Sequence, residues 1–473
     1  MQLAGALVEF LALFGAGIIM ARLLGPKEFG IFAMVVSLTS LVDTFGDLGL
    51  NFATVQRRGL TNAQLSALFW VSARFNFVVL LVVSLTAPLL AMFYREPALV
   101  YMTAVAATAA FARGLGSQHE ALMMREMQFG RLKAIEVTAT TLGAVIGIAL
   151  AASGAGAWAL VAQLVAVSGT RTLGLWLRLP WRPSRYAESR PELANVRPML
   201  RYGTQFSAYR LVIYMGRQFD RVILGLLGGA TTLGFYASAA RWALYPIDMV
   251  SNPLTGVAVV GLSRLAADPV AYRLACRRGL LPFFSLLLPV VVFATTQANT
   301  LVVTLLGEQW APSAPIFRIL CVASLALALD RVCKWIYLSS GDTLRQFRWA
   351  LIFTPVVAAC VLAGLPYGAI GIAEGYAVGT TLLALPGLAY CLRSSPVRVG
   401  DVLGALARPV AASGISAALT MLVAGTQLTD LHGLLVRALL FTAGYITTWA
   451  VLPGGRGATV ELLRMARLLS RDS

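Results

Sequence analysis

Charge is scarce in this 473-residue chain and lopsided where it occurs: 12% of residues are charged, 38 lysines and arginines against 21 aspartates and glutamates. A soluble domain carries about twice that fraction, so a water-facing globule is excluded. Histidine is nearly missing, with only His119 and His432, and Cys276, Cys321, Cys333, Cys360 and Cys391 form no CxxC pair. That donor set assembles no zinc site, and the cysteines read as packing residues. No glycine-rich loop ending in Gly-Lys-Ser or Gly-Lys-Thr is present, which leaves ATP hydrolysis without its phosphate cradle. No cofactor and no metal are expected. The first residues lack both a signal-peptide cleavage site and a basic flank, so the first apolar segment is expected to stay in the membrane.

What fills the chain instead is hydrocarbon. Hydrophobic residues are 58% of it and the mean hydropathy is +0.76. Apolar runs of roughly 20 residues follow one another from end to end, long enough to cross a bilayer as helices that satisfy their own backbone hydrogen bonds. About fourteen spans are expected, near 3–24, 29–50, 68–92, 97–118, 134–153, 156–178, 203–227, 233–260, 279–298, 313–336, 347–365, 369–392, 405–425 and 433–453. Pro246 and Pro253 predict a kink or break in the eighth. Arginines crowd into every second connector, among them Arg57 and Arg58, Arg125 and Arg131, Arg182 to Arg201, Arg264 to Arg278, and Arg345 with Arg348. The connectors between, around Gly154, Gly229, Gly307 and Pro366, are short and nearly uncharged. Arginine resists translocation, so the alternation places both termini in the cytoplasm of a bacterial inner-membrane protein. It also accounts for the net charge of +17 through orientation and anionic headgroups, with no nucleic acid required.

The halves echo each other. Gly25, Gly30, Phe32 and Ala33 recur in spacing as Gly229, Gly234, Tyr236 and Ala237, and Gly154-Ala155 with Ala159 recurs as Gly368-Ala369 with Ala373. Six spans separate the copies, so the repeat is parallel, with its pseudo-twofold along the membrane normal. The expected fold is an all-α polytopic membrane protein: helices 1–6 in an N-lobe over 1–180, a basic cytoplasmic linker over 181–202, helices 7–12 in a C-lobe over 203–393, and two more helices in 394–454. Residues 455–473 form an amphipathic cytoplasmic tail. Within the linker, Ser189 and Glu192 with Pro191 between them predict a capping box. Gly143–Gly147 and Gly371–Gly375 are GxxxG pairs expected to pack helix on helix.

Candidate site residues are the charges inside the spans. Arg210, Tyr214, Arg217 and Arg221 fall within about 60° of one another at 100° per residue, one stripe over three turns. A guanidinium in hydrocarbon costs roughly 3 kcal/mol or more, so the stripe faces the interior. There it is either a site for a polyanion, with fork geometry suited to phosphate oxygens, or a set in which Asp220 pairs with Arg217 or Arg221 and Arg210 snorkels to the headgroups. Arg241, Tyr245 and Asp248 share a face of the eighth span and are placed in the same cavity. Arg74 and Glu9 stand alone in their spans, with a partner across the lobes open to either. Asp220, Asp248 and Glu374 are candidates for ion coupling, with an interlobe hydrogen bond the other reading of Glu374. Asp330 and Lys334 form an i, i+4 pair, and Asp43 and Asp47 sit at the cytoplasmic end of the second span.

Several runs resemble the polysaccharide-transporter family of the Wzx flippase type, in the MOP exporter superfamily. They are Ala21–Gly30, Phe45–Leu50 with Gln56 and Arg57, Leu68-Phe69-Trp70, Gln128–Leu132, Gly154–Ala162, Asp220–Gly225 and Gly307–Pro312. The closest branch looks like the colanic-acid and teichuronic-acid exporters. The resemblance implies a flippase for undecaprenyl-diphosphate-linked oligosaccharide, two six-helix bundles around a cavity, and a cationic cavity mapped to Arg210, Arg217 and Arg221. Its expected partners are that lipid-linked oligosaccharide, membrane lipids and a polysaccharide polymerase or export complex. Lipid II flipping and drug or organic-cation antiport are rivals of the same fold. A cation binder, though, wants carboxylates where this chain has arginines. A ligase or polymerase needs large outer loops, which the short uncharged connectors do not supply, so no enzyme is expected.

Overall fold

The structure is a computed structural model. Its described backbone covers residues 2–45, 54, 59–424 and 431–452, and its described side chains 12–39, 54, 59–192, 195, 218–252, 254–256, 258–422 and 431–452. Glu9, Asp43, Asp47 and the tail over 455–473 lie outside the described side chains. Among the described residues every regular element is a helix: α1 (Gln2–Leu23), α2 (Pro26–Phe45), α3 (Asn62–Tyr94), α4 (Leu99–Arg125), α5 (Phe129–Ala152), α6 (Ala157–Arg178), the single turn α7 (Tyr186–Ser189), α8 (Leu193–Arg264), α9 (Pro269–Thr296), α10 (Ala298–Leu306), α11 (Ser313–Ser340), α12 (Thr343–Gly364), α13 (Gly368–Leu392), α14 (Val399–Ala424) and α15 (Leu431–Val451). Nine stretches among the described residues are long and apolar enough to cross a membrane.

Local chemistry sets the ends. Thr61 caps α3 in a capping box, its hydroxyl accepting from Gln64 N–H at 3.2 Å while Gln64 Oε1 accepts from Thr61 N–H at 3.3 Å. Asp268 caps α9 with Pro269 at its first position, accepting from the N–H groups of Val270 and Ala271 at 3.0 Å each. The capping box expected at Ser189 and Glu192 does not form. Ser189 ends α7, and its hydroxyl donates back to the Tyr186 carbonyl at 3.1 Å. Nor is the eighth span broken at its prolines. The non-helical torsions inside α8 are at Gly229 (φ 72°, ψ −179°), where a side chain would be strained. Pro246 and Pro253 stay in helical backbone.

The chain divides into two compact units, Met1–Gly234 and Phe235–Ser473. In the first, α3 packs on α4, α4 on α6, α5 on α6 and α1 on α5. In the second, α9 packs on α11, α11 on α13 and α12 on α13, with α14 against α9 and α15 against α14. Both GxxxG pairs serve hairpins. A Cβ on Gly143 would lie 2.3 Å from Val167 Cγ2, and one on Gly375 2.2 Å from the Cys360 carbonyl. Inside the first unit the turn after Gly229 lies on the start of α2. A Cβ on Gly30 would fall 1.6 Å from the Ala230 carbonyl oxygen, and one on Gly234 1.8 Å from that of Pro26. The two contacts are reciprocal: each motif's second glycine meets the residue after the other motif's first.

In the second unit, α14 is fastened to α9 by a fork. Arg273 Nε and Nη2 donate to Asp401 Oδ2 and Oδ1 at 2.6 and 2.9 Å, and the Arg398 N–H donates to Oδ2 at 2.9 Å. Asp401→Ala is expected to cost about 2 kcal/mol, because it strips a buried-end bidentate pair. The check is the unfolding midpoint of purified protein in detergent, and an unchanged midpoint would mean the fork contributes nothing.

Candidate functional site

The side chains of Arg210, Tyr214 and Arg217 lie outside the described residues, on helical backbone in the first limb of α8. Arg221 is half-buried. Its Nη1 donates to Gln218 Oε1 at 3.1 Å, and its backbone N–H donates to Oδ1 of the buried Asp220 at 2.9 Å. The Arg221 Nε is buried with no hydrogen-bond partner among the described residues. Such an orphaned donor is costly and calls for an explanation.

Past the break, Arg241 is exposed and Tyr245 half-buried, its ring 6.5 Å from Trp242 edge-on. Asp248 is engaged elsewhere: Arg331 Nη2 donates to its Oδ1 at 2.7 Å. One turn along α11, Trp335 Nε1 donates to Thr255 Oγ1 at 2.8 Å. Arg241, Tyr245 and Asp248 keep the helical spacing expected of one face, yet the carboxylate at its end is matched by α11. Glu374 is exposed on α13.

Arg74 is not isolated. Its guanidinium lies 3.5 Å over the Tyr186 ring, a cation–π contact at short range. Tyr186 belongs to a strap formed by residues 181–192, which runs along one face of α3. Trp181 Nε1 donates to Asn62 Oδ1 at 2.6 Å, Ser184 N–H donates to Ser66 Oγ at 3.0 Å, and Trp70 Nε1 donates to the Ser184 carbonyl at 2.9 Å. Asn62, Ser66, Trp70 and Arg74 recur every fourth residue, which is why one helix face grips the strap from Trp181 to Tyr186. At its far end Gln64 Nε2 donates to Glu192 Oε2 at 3.1 Å, and Asn195 Nδ2 to the same oxygen at 2.9 Å. The Asn195 and then the Gln64 amide hold that carboxyl below the usual carboxylate range. The contact is therefore complete at neutral pH and lost only as pH falls through the lowered value. Behind the strap, Phe69 and the fully buried His119 pack against Trp176 and Trp181, with His119 stacked on Trp176 at 4.5 Å.

Sequence reasoning also missed the polar seam between α4 and α6. Arg113 Nη1 donates to Ser168 Oγ at 2.6 Å, Arg171 Nη2 pairs with Glu120 Oε1 at 2.7 Å, and Trp176 Nε1 donates to the Leu115 carbonyl at 3.1 Å. The signal available was the pair of basic residues two turns or more from any connector, Arg113 and Arg171, each within a predicted span.

Residues 19–315 match the polysaccharide biosynthesis protein family. The chain belongs to that family. It is 25% identical to the lipopolysaccharide biosynthesis protein WzxC of Escherichia coli K12 over 366 residues, 76% of this chain and 73% of the relative. It is 25% identical over 352 residues, 74% of this chain and 70% of the relative, to the succinoglycan biosynthesis transport protein ExoT of Rhizobium meliloti. Among solved structures it is similar to the lipid II flippase MurJ in an inward closed conformation, with a TM-score of 0.76 over 95% of this chain and 98% of that one. At 12% identity that likeness shows the fold: an all-helical, multi-pass membrane protein.

Proposed function

We propose that this protein is a flippase that moves undecaprenyl-diphosphate-linked oligosaccharide repeat units from the cytoplasmic to the periplasmic leaflet of the inner membrane. It is a transporter and not an enzyme. One observation carries the reading: Arg241 stands exposed in the span Gln218–Asn252, about 18 Å along its helix from the break at Gly229 at 1.5 Å per residue. A guanidinium that deep is tolerated only where it meets water or an anion. Arg217 lies twelve residues before Gly229 and Arg241 twelve after it. With Arg210, Arg221 and Arg74 they make the cationic lining for the diphosphate, while Tyr214 and Tyr245 contact sugars.

Two lobes, 1–180 and 203–393, joined by the linker 181–202 and followed by helices over 394–454, rock about this site with both termini cytoplasmic. Support for the repeat is the recurrence of the same pairings, third helix on fourth, fourth on sixth and fifth on sixth, in each unit. Gly154 and Gly368, at matching places, share positive φ of 84° and 68°. For ion coupling, Glu374 is favoured over Asp220 and Asp248. It is an exposed carboxylate about 9 Å into α13, whereas Arg331 matches the Asp248 charge. A polysaccharide polymerase receives the product on the outer face.

The test is cellular. Deleting the gene is expected to stop polymer export and accumulate lipid-linked repeat units in the inner leaflet, with rescue by the wild-type gene. Normal polymer with normal lipid pools would overturn the substrate, and lipid II flipping and drug export would then be assayed on the same strain.

A further inference from the structure

Away from the arginines of α8, the first unit carries a groove of about 270 Å³ between α5 and α6. Arg131 and Arg178 stand at one end of it, and Ile135, Leu173, Gly174 and Leu177 form its wall and floor. The floor exists because Gly174 has no side chain: a Cβ there would lie 2.8 Å from Ile135 Cγ2. The helices therefore close beneath and leave the cleft above. Leu173 and Leu177 are 59% and 71% exposed and face away from the unit's interior, while Ile135 is buried. An apolar cleft in this position meets acyl chains, not water.

The two guanidiniums give the cleft polarity. Both are exposed, and Arg131 spends one N–H on Gln128 Oε1 at 3.1 Å, leaving most of its five donors for another acceptor. They lie at the first turn of α5 and the last turn of α6, next to the basic connectors that the charge alternation assigns to the cytoplasmic face. The headgroups of that leaflet are anionic. Forked guanidiniums beside an apolar cleft at headgroup level match one ligand in both parts, a phosphate above and a hydrocarbon chain below.

We propose that this groove is a binding site for an anionic phospholipid of the inner leaflet, its phosphate between Arg131 and Arg178 and one acyl chain along Leu173 and Leu177. The site shares no lining residue with α8 and rests on the orientation of the helices, not on the nature of the transported substrate. Its role is to anchor the α5–α6 hairpin to the leaflet from which cargo is taken.

The experiment is lipid titration of the full-length protein in detergent, reading bound lipid by native mass spectrometry and stability by thermal shift. The probes are phosphatidylglycerol and phosphatidylcholine. Wild-type protein is expected to retain phosphatidylglycerol in preference. Arg131→Gln with Arg178→Gln is expected to weaken that retention about thirtyfold, at roughly 1 kcal/mol per arginine, and to leave phosphatidylcholine unchanged. A control of equal charge change, Arg264→Gln with Arg393→Gln, is expected to keep the preference. Equal retention of the two lipids by wild type would overturn the proposal without any variant being needed. So would an equal loss in the control pair, which would reduce the effect to general surface charge.

Discussion

Replacing Arg241 with alanine is expected to lower repeat-unit transport by roughly ten- to a hundredfold, with the protein still present at wild-type level in the membrane. The magnitude follows from one charge-assisted contact to a phosphate, about 1.5–3 kcal/mol. Arg241 is exposed on a spanning helix, so the substitution empties no core and folding is spared. Arg241→Lys is expected to recover part of the loss, since the charge returns without the fork that engages two oxygens at once. Arg221→Ala should behave similarly, because its buried Nε has no partner among the described residues. The measurement is lipid-linked repeat units reaching the outer leaflet in membranes of the deletion strain carrying each variant. Full transport by Arg241→Ala would take the anion site off the second limb of α8.

Gly234→Val is expected to have the second large effect, for a steric reason. The Pro26 carbonyl oxygen would be 1.8 Å from a Cβ at 234, and the Ala230 carbonyl oxygen 1.6 Å from one at Gly30. Backbone atoms cannot move aside as a side chain can, so the crossing of the two turns must open. Overpacking of this kind costs about 1–3 kcal/mol, which depopulates the crossed arrangement by about fivefold at the low end and more than a hundredfold at the high end. Ile31 is 7% exposed beside it, and the native cysteines are buried apart from the half-buried Cys360. In an Ile31→Cys background, Gly234→Val should therefore raise labelling by a membrane-impermeant maleimide about tenfold while transport falls. Wild-type labelling together with wild-type transport would show that the cycle never makes and breaks this crossing.

The helices were readable because hydrocarbon length and arginine placement are properties of single segments. The turn at Gly229 was readable too, through its G-x4-G echo of Gly25–Gly30. What one segment cannot reveal is its partner. Arg74 looked solitary because Tyr186 lies far along the chain in a linker whose arginines draw the eye. Asp248 looked like a coupler because Arg331 sits beside Asp330, and Asp330 with Lys334 offered a local pairing. The cap was misplaced for a related reason. Thr61 with Gln64 and Ser189 with Glu192 both fit the same four-residue pattern, and only the backbone entering α3 leaves Thr61 extended (φ −76°, ψ 160°) to use it. Pro246 and Pro253 predict a kink or break within the eighth span, yet both stay in helical backbone, and the non-helical torsions fall at the connector glycine, Gly229.

The first limb of α8 has a mechanical consequence. From Leu193 to the break at Gly229 it runs about 54 Å at 1.5 Å per residue, against a hydrocarbon thickness of about 30 Å. Several turns therefore stand beyond the bilayer as a lever arm, continuous with the helix that bears Arg217 and Arg221. The outer end of that arm begins at Glu192, which Gln64 ties to α3. A tilt of that arm must strain or slip that tie, so the strap acts as a brake on the helix.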